Sequence, residues 1–461
     1  MSTASQEADL PSDSDYGLDK RKVAAILYAV EIRDRDQLIA LMEPLHPADI
    51  ADLLEQVNAY DRGRLLRLYD RAFDGEILSE LDDAIREDVM AMLSPHTLAE
   101  AVRDLDSDDV VDLVEDLEEP QQEALLDVLP DSERVAVEQA LSFPEGSAGR
   151  LMQREVVRAP EHWTVGQAID FLRNSDDLPE QFYHIVLVDP RMHPIANVTL
   201  GKLMGSPRAT LLKDITEEVF QVVPVTQDEG EVAYAFNQYH LISAPVVDEE
   251  GRLIGQITID DAMAVLDEEH EEDILRLAGV GEESSLSDSV FETTKRRVPW
   301  LAVNMVSAIC ASLVISMFED TISALVSLAI LMPIVASMGG NAGTQSLTVA
   351  VRALATKDLT GANAWRVIRR ELLVGVLNGL CFALLLGVVE MVWFGSVELA
   401  LVIGAALICN MIIAGFAGTI VPLLLEKLGV DPALASGTFV STTTDVMGFL
   451  IFLGLATMVL L

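Results

Sequence analysis

The segment that decides the fold is Val440-Ser441-Thr442-Thr443-Thr444-Asp445-Val446-Met447-Gly448-Phe449, near the end of the chain. It lies inside an apolar run from Ala433 to Leu461, which is long enough to cross a bilayer as a helix. Asp445 stands near the middle of that run, where a carboxylate costs roughly 2.5–3.5 kcal/mol on insertion scales. On a helix, Asp445 shares one face with small or hydroxyl-bearing residues, namely Gly437, Thr438, Ser441 and Gly448. Water and ions can approach a carboxylate on such a face, so we predict a cation site in a pore.

A second interpretation of Asp445 stays open at this point. The carboxylate is then protonated, or an arginine inside the membrane neutralises it. The basic candidate for that role is Arg352, which we expect near a membrane edge.

Charge divides the chain into two unlike parts. Residues 1–298 carry 65 of the 74 acidic and 25 of the 31 basic residues, a net charge of −40, whereas residues 299–461 carry a net charge of −3. So negative a surface disfavours nucleic acid as a partner and favours cations. The N-terminus lacks the pattern of a signal peptide, so we expect the acidic part in the cytosol. A high-salt habitat is an alternative explanation of the acidity.

The first part of the chain reads as all-helical from about Leu18 to Leu141. Polar or proline start signals precede apolar runs of helical period, which suggests a small helical superhelix. Asp108, Asp109 and Asp112 cluster on one helix face, for which plain solvation is the simpler interpretation.

A Gly-, Pro- and Ser-containing linker at residues 143–149 leads into two copies of one helix–strand–strand pattern. Asp189 and Thr199 of the first copy recur 59 residues later as Asp248 and Thr258. The pattern resembles a tandem pair of CBS domains. Many nucleotide-binding copies carry an Asp three residues after that Thr, and Asp261 matches in the second copy, whereas the first copy has lysine there, at Lys202. Nucleotide binding and a purely structural pair therefore both stay open.

An acidic helix follows at Leu266-Asp267-Glu268-Glu269-His270-Glu271-Glu272-Asp273-Ile274. Its carboxylates repel one another unless something neutralises them, so we weigh a divalent-cation contact equally with plain solvation. Lys295-Arg296-Arg297 then marks the cytosolic edge of the membrane.

The last part divides into five predicted spans, at Pro299–Met317, Ile322 to about Leu354, Leu372–Trp393, Leu399–Leu425 and Ala433–Leu461. Every basic residue of this part falls near a cytosolic end if the first span runs outward, as the positive-inside rule requires. In the second span, Pro333 and paired glycines are expected to strain or unwind the helix, which is tolerated only where protein or water covers the backbone. Gly339 and Gly343 also form a GxxxG packing motif.

With both membrane motifs in hand, the chain resembles the MgtE family of magnesium channels and transporters along its whole length. The specific motifs are Pro333-x5-Gly-Gly-Asn-x-Gly-x-Gln and the Thr-rich segment that ends in Asp445. The resemblance implies a homodimer with a pore on its two-fold axis, in which Asp445 holds Mg²⁺ and the acidic helix is a plug. We expect the pore to be lined by Gly339, Gly340, Asn341, Gly343, Thr344, Gln345, Thr438, Ser441 and Thr442.

The resemblance also implies regulation, because in the family cytosolic Mg²⁺ bridges acidic faces of the N-terminal domain, the CBS pair and the plug. The matching positions are Asp108, Asp112, Asp228, Asp261, Glu269, Glu272 and Asp273. Gly230, His240 and Ala264 stand where relatives carry acidic residues, so the number of sensing ions does not transfer.

These features predict a multidomain chain with an all-α superhelical N-terminal domain, α+β tandem CBS domains, a connecting plug helix and an all-α transmembrane domain. The predicted parts are a disordered N-terminus (1–17), the helical N-type domain (18–142), the first CBS domain (143–206), the second (207–266), the acidic plug (267–298) and five transmembrane helices (299–461).

The expected function is Mg²⁺ influx across the cytoplasmic (inner) membrane, with the N-terminus cytosolic and the C-terminus outside. Mg²⁺, a second copy of the chain and the lipid bilayer are the expected partners, and ATP stays open. The alternatives are a broader carrier for Co²⁺, Mn²⁺ or Zn²⁺ and a membrane-anchored CBS-domain sensor. No phosphate loop and no hydrolytic or redox constellation is found, so an enzyme is not expected.

Overall fold

The computed structural model describes residues 18–461 except 104, 116, 118, 128, 176–177, 180 and 281–289. The predicted disordered N-terminus at residues 1–17 lies outside the described residues. The chain forms two compact units, the first ending at Asp267 and the second beginning at Glu268.

The first unit begins with short amphipathic helices packed around one aliphatic core, as the sequence predicts. Side chains stabilise their free N-terminal N–H groups: Asp34 and Asn58 each cap a helix, and His46 forms a capping box with Asp49. The helices are α1 (Lys20–Ile32), α2 (Arg35–Met42), α3 (Pro47–Gln56), α4 (Ala59–Tyr69), α5 (Glu76–Ser79), α6 (Asp83–Met92), α7 (Pro95–Arg103), α8 (Ser107–Glu115), α9 (Glu119–Leu126) and α10 (Asp131–Ala140).

Two three-stranded sheets follow, each with one parallel and one antiparallel strand pair. Their central strands are buried throughout, and His184 Nδ1 of one lies 2.8 Å from Ser243 Oγ of the other. These two residues are 59 positions apart, so the repeat found in the sequence is also a structural repeat. The elements are α11 (Ala148–Leu151), β1 (Arg158–Pro160), α12 (Val165–Asn174), β2 (His184–Val188), β3 (Pro194–Thr199), α13 (Leu200–Gly205), β4 (Val223–Pro224), α14 (Glu229–Tyr239), β5 (Ser243–Val247) and β6 (Leu253–Thr258).

The segment that was expected to be a linker is part of the second repeat. Ala148 donates its backbone N–H to Gln227, and Gly149 donates to Val225. Ala148 and Met152 are buried in the core that β4, β5 and β6 form. The sequence misleads here because glycine serves close packing: a Cβ on Gly149 would lie 2.6 Å from the Phe143 ring.

Helix α15 (Ile259–Leu277) contains the acidic segment, and the helices of the second unit follow it. They are α16 (Val290–Ser316), α17 (Glu319–Ala324), α18 (Ser327–Ala355), α19 (Ala364–Trp393), α20 (Val397–Lys427) and α21 (Pro432–Leu460). This arrangement confirms the predicted fold class: a helical domain, an α+β pair of repeats and a helical apolar part.

The predicted boundaries of the first two spans are wrong in two places. The first predicted span begins at Pro299, but α16 begins at Val290 and contains Pro299. The expected second span from Ile322 to about Leu354 is divided between α17 and α18, because Leu325 leaves helical geometry at φ −134° and ψ 83°. Four helices are long and apolar enough to cross a membrane among the described residues, at Thr293–Ser316, Ala364–Trp393, Val397–Lys427 and Gly437–Leu460. Helix α18 is not among them, so the count of five spans stays a prediction.

Glycines bring α19 and α20 together. A Cβ on Gly375 would lie 2.6 Å from the Met411 carbonyl oxygen, and one on Gly379 would lie 2.8 Å from the Ile408 Cα. A larger side chain at either position would separate the two backbones, so this antiparallel pair depends on small residues, as membrane helices often do.

Candidate functional site

Asp445 lies on α21, and its side chain is partly exposed on the protomer. No residue that the structure describes forms a hydrogen bond or an ion pair with this carboxylate, and Arg352 is exposed elsewhere on α18. Neutralisation by an intramembrane arginine, the second interpretation of the sequence, therefore finds no support in these contacts. A carboxylate without a protein counter-charge in an apolar span is a functional-site signal.

The hydroxyl groups around Asp445 are satisfied within α21 itself. Ser441 donates to the Gly437 carbonyl, Thr443 to Phe439 and Thr444 to Ser441. Such back-bonding leaves the oxygen lone pairs available to water or an ion, while each O–H has an acceptor. Of these three hydroxyl groups, that of Ser441 lies on the face of Asp445, one helical turn away, where its oxygen can accept a hydrogen bond from water.

Two of the predicted pore-lining residues contact α16 instead of standing free. Thr438 Oγ1 donates to Asn304 Oδ1 at 3.2 Å, and Thr442 Oγ1 forms a short hydrogen bond with Ser307 Oγ. Thr438 and Thr442 thus connect α21 to α16 through side-chain hydrogen bonds, whereas the Ser441 hydroxyl donates within α21.

The glycine motif of the second predicted span is helical and continuous, so the expected unwinding is wrong. Gly339 and Gly343 are buried and meet Asn410 of α20 and Val440 of α21, which is the close packing that the GxxxG pattern also allowed. Asn341, Thr344 and Gln345 are exposed on the protomer, and Gly340 has open space around it. The motif therefore has one packed face and one polar face.

Asn410 is a residue that the sequence analysis missed. It is fully buried on α20, and its Nδ2 donates to the Val335 carbonyl of α18 at 3.0 Å. A Cβ on Gly339 would lie 2.1 Å from Asn410 Nδ2, and one on Gly448 would lie 2.8 Å from the same atom. The side chain thus fits between the two helices that carry the predicted pore residues. A lone carboxamide in the middle of an apolar run was the available signal.

In the first unit, the predicted regulatory residues Asp108 and Asp261 come together. Asp108 is 8% exposed, and burial together with the neighbouring Asp261 raises its pKa well above 3.8. A side-chain hydrogen bond joins Asp108 and Asp261, and burial raises the pKa of Asp261 to about 6. Burial and Asp261 also raise the pKa of Asp109 to about 7.

Asp261 has a structural role that needs no nucleotide. Its carboxylate accepts from the backbone N–H of Thr258 at 3.3 Å and from Thr258 Oγ1 at 2.5 Å, at the beginning of α15. Both groups of the Thr-x-x-Asp motif are thus used in stabilising the start of that helix.

Of the other predicted regulatory residues, Asp112 lies close enough for its charge to raise the pKa of Asp109. Asp112 forms an ion pair with Arg86 at 2.7 Å, and Asp228 caps α14. Glu269 is exposed on α15, and Glu272 forms an ion pair with Arg276 at 2.7 Å. Among the residues that the structure describes, no group of three or more His, Cys, Asp or Glu side chains is arranged to hold a metal ion.

The end of α15 is joined to the beginning of α21 within the second unit. Arg276 Nη1 lies 2.6 Å from Asp431 Oδ2, and Asp431 in turn accepts from the backbone N–H of Ala433 as the cap of α21. Leu277 packs on a cluster that α18 and α21 share. Burial and the negative charge of Asp431 raise the pKa of Asp273. Arg276 is the one Lys or Arg between Arg252 and Lys295, and it carries no local motif that predicts this contact.

Family models match three parts of the chain. A model described as the MgtE divalent cation transporter matches residues 332–455, which contain Asp445 and the glycine motif. The MgtE intracellular N domain matches residues 45–146, and a CBS domain matches residues 212–268.

Two curated relatives cover most of the chain, and both are named magnesium transporter MgtE. The protein of Thermus thermophilus is 33% identical over 452 residues, which are 96% of this chain and 99% of the relative. The protein of Enterococcus faecalis is 35% identical over 322 residues, which are 70% of this chain and 71% of the relative. A solved structure of the cytosolic domain of the Mg²⁺ channel MgtE in complex with ATP is 30% identical and covers 53% of this chain and 99% of its own, with a TM-score of 0.49. The chain belongs to the MgtE family.

Proposed function

We propose that this protein carries Mg²⁺ across a membrane along a path that passes Asp445. The observation that carries the proposal is a partly exposed carboxylate, without an ion-pair partner among the described residues, in the middle of an apolar span. The names of its curated relatives support Mg²⁺ as the transported ion. Mg²⁺ is the substrate here and not a resident cofactor.

The chemistry of the site suits a hydrated hard cation. Mg²⁺ loses its water shell reluctantly and is commonly bound through water by one or two carboxylates. The hydroxyl oxygens of α21 and the Asp445 carboxylate are acceptors, which the waters of a hydrated cation need. If two copies of the chain face one another, two Asp445 side chains flank the ion, and binding stays weak enough for release.

Regulation by cytosolic Mg²⁺ is part of the proposal. Asp108, Asp109 and Asp261 are held close together at the cost of raised pKa values, so a divalent cation that neutralises them stabilises this contact. A ligand shifts a conformational equilibrium only through a difference in affinity between the two states. The state in which α8 and α15 are in contact binds the divalent cation more tightly, because its carboxylates are close together. In a state in which these carboxylates are apart, the ion binds more weakly.

Helix α15 links this cluster to the transport part. The same helix carries Asp261 near its beginning and Arg276 near its end, and Arg276 forms an ion pair with the cap of α21. We infer that cytosolic Mg²⁺ acts on the path of Asp445 through α15, with Glu269, Glu272 and Asp273 as further acidic positions on the helix. Placement in the cytoplasmic membrane with a cytosolic N-terminus agrees with this direction of control.

The direct test is ion flux into proteoliposomes that contain the purified full-length chain and a fluorescent Mg²⁺ indicator. Transport predicts uptake that empty liposomes lack and that falls when Mg²⁺ is raised on the cytosolic face. A membrane-anchored sensor predicts no uptake, and that result would reject the proposal. Competition by Co²⁺, Mn²⁺ and Zn²⁺ separates a selective path from a broad one, and the absence of His or Cys near Asp445 favours selectivity for a hard ion.

A further inference from the structure

A cavity of the membrane part lies between α18, α19 and α20, and Asp445 does not line it. Its volume is about 140 Å³, which is room for several water molecules. Four of its lining residues are polar, Gln345 and Ser346 from α18 with Glu371 and Asn378 from α19. Gln345 belongs to the glycine motif and is also one of the predicted pore-lining residues.

Glu371 is the charged group of this cavity, and both its side chain and its backbone contact neighbouring helices. Ser346 Oγ, only 9% exposed, donates to Glu371 Oε2 at 2.9 Å. The backbone is held against α20, because a Cβ on Gly415 would lie 2.9 Å from the Glu371 carbonyl oxygen. These two contacts fix the carboxylate on the wall of the cavity.

No Lys or Arg among the described residues forms an ion pair with Glu371. Arg370, its neighbour in sequence, is exposed, and the cavity lining contains no basic residue. The carboxylate lies on a helix that is long and apolar enough to cross a membrane. Glu371 directly precedes the predicted third span, and a carboxylate without an ion pair from the described residues can attract a cation into the cavity.

The neutral groups of the cavity fit the same ligand. Gln345 and Asn378 offer carboxamide oxygens, and neither side chain has a hydrogen-bond partner among the described residues. Carboxylate, carboxamide and hydroxyl oxygens are ligands for hard cations, and no His or Cys lines the cavity. Gly375 and Gly415 keep the wall free of side chains at this level.

We propose that this cavity binds a hydrated divalent cation, with Glu371 as the charged ligand and Gln345, Ser346 and Asn378 as oxygen ligands through water. Asp445 does not line this cavity, and occupation of the site does not depend on transport. Binding there would stabilise the junction of α18, α19 and α20.

The chain offers its own probe position, Cys381, about 4.5 Å along α19 from Asn378 and about 15 Å from Glu371 at 1.5 Å per residue. A nitroxide is attached to Cys381 in a full-length protein that also carries Cys310→Ser, Cys409→Ser and Asp445→Asn. The last change removes the ion of the proposed transport path, so the result is independent of that proposal. Mn²⁺, a paramagnetic divalent cation, is then titrated while the nitroxide spectrum is recorded.

The proposal predicts saturable broadening by Mn²⁺ that Mg²⁺ reverses and that Na⁺ at the same ionic strength does not. Glu371→Gln should weaken the binding at least tenfold. Glu390→Gln is the matched control, because Glu390 lies on the same helix about 13.5 Å beyond Cys381 and does not line the cavity. Unchanged size-exclusion profiles and circular dichroism verify that both variants fold.

Three results would overturn the proposal. One is absence of saturable broadening, which leaves a cavity that holds water only. Another is equal broadening in Glu371→Gln and the parent protein, which places the Mn²⁺ elsewhere. The third is reversal by Na⁺ as effectively as by Mg²⁺, which identifies a monovalent site.

Discussion

Arg276 Nη1 lies 2.6 Å from Asp431 Oδ2, and Asp431 is the cap of the helix that carries Asp445. The guanidinium also forms an ion pair with Glu272 at 2.7 Å on its own helix. Its side chain is 17% exposed, so these pairs are better shielded from solvent than a surface ion pair. The acidic helix α15 is thereby joined by charge to the first turn of α21.

The ion pair of Arg276 and Asp431 should couple the acidic helix to transport. Arg276→Ala is expected to raise the cytosolic Mg²⁺ concentration that halves uptake and to lower stability by about 1–2 kcal/mol. Asp431→Asn keeps the cap, since asparagine caps a helix as well as aspartate does. In the double variant the two effects should not add, because both changes remove one interaction.

The measurement is Mg²⁺ uptake against internal Mg²⁺ for the two single variants and the double variant. Arg252→Ala, which removes an exposed ion pair with Asp248 in the CBS pair, is the matched control. Additive effects of Arg276→Ala and Asp431→Asn would contradict a direct coupling.

The acidic cluster of α8 and α15 should respond to pH when no divalent cation is present. The pKa of Asp109 is raised from 3.8 to about 7, and that of Asp261 from 3.8 to about 6. A carboxyl group with a raised pKa in the folded state binds protons more tightly there than in the unfolded state. The contact is therefore most stable below pH 3.8 and weakens as the pH rises through about 6 to 7.

Amide hydrogen exchange of the full-length chain, measured in a buffer with a chelator that removes divalent cations, tests this pH dependence. After correction for the intrinsic rate, α8 and the start of α15 should exchange faster at pH 8 than at pH 5.5, and Mg²⁺ at pH 8 should restore protection. Asp109→Asn should reduce the difference in exchange rate between the two pH values. Asp36→Asn, at an exposed position on α2, should leave that difference unchanged. Equal protection at both pH values would count against the raised pKa values.

Asn410 should make Gly339 intolerant of any side chain. Gly339→Ala places a Cβ 2.1 Å from Asn410 Nδ2, and such overpacking costs about 1–3 kcal/mol. The neighbouring Gly340 has open space around it, so Gly340→Ala is the matched control and should leave stability unchanged or raise it by up to about 1 kcal/mol. Adding Asn410→Ala to Gly339→Ala should recover part of the loss. Thermal unfolding measures the stability of the unmodified chain, the two glycine variants and the double variant. Equal effects of Gly339→Ala and Gly340→Ala would contradict this packing.

The sequence was sufficient where one local pattern decides the structure. The spacing of 59 residues found the two repeats, and the buried central strands agree with it. The apolar run around Asp445 is a helix, as its length requires. In long segments with a regular apolar period and clear helix or strand start residues, the local conformational preference agrees with the tertiary fold.

The sequence was insufficient where a contact joins distant residues. Asn410 meets Gly339 and Gly448, and Arg276 meets Asp431 across 155 positions, and no local pattern predicts either contact. Gly149 looked like a linker residue because close packing and chain flexibility both select glycine. The break after α17 at Leu325 has no glycine or proline to announce it.

The central claim is that Asp445 lines the path of Mg²⁺, and Mg²⁺ uptake by Asp445→Asn proteoliposomes tests it most directly. Asparagine keeps the size of the side chain and removes the charge, so Mg²⁺ uptake should fall to the level of empty liposomes. Insertion into the liposomes and the size-exclusion elution of the protein should be unchanged. Asp320→Asn, the same change at an exposed position on α17, should retain uptake. Uptake by Asp445→Asn at the rate of the unmodified chain would contradict the account.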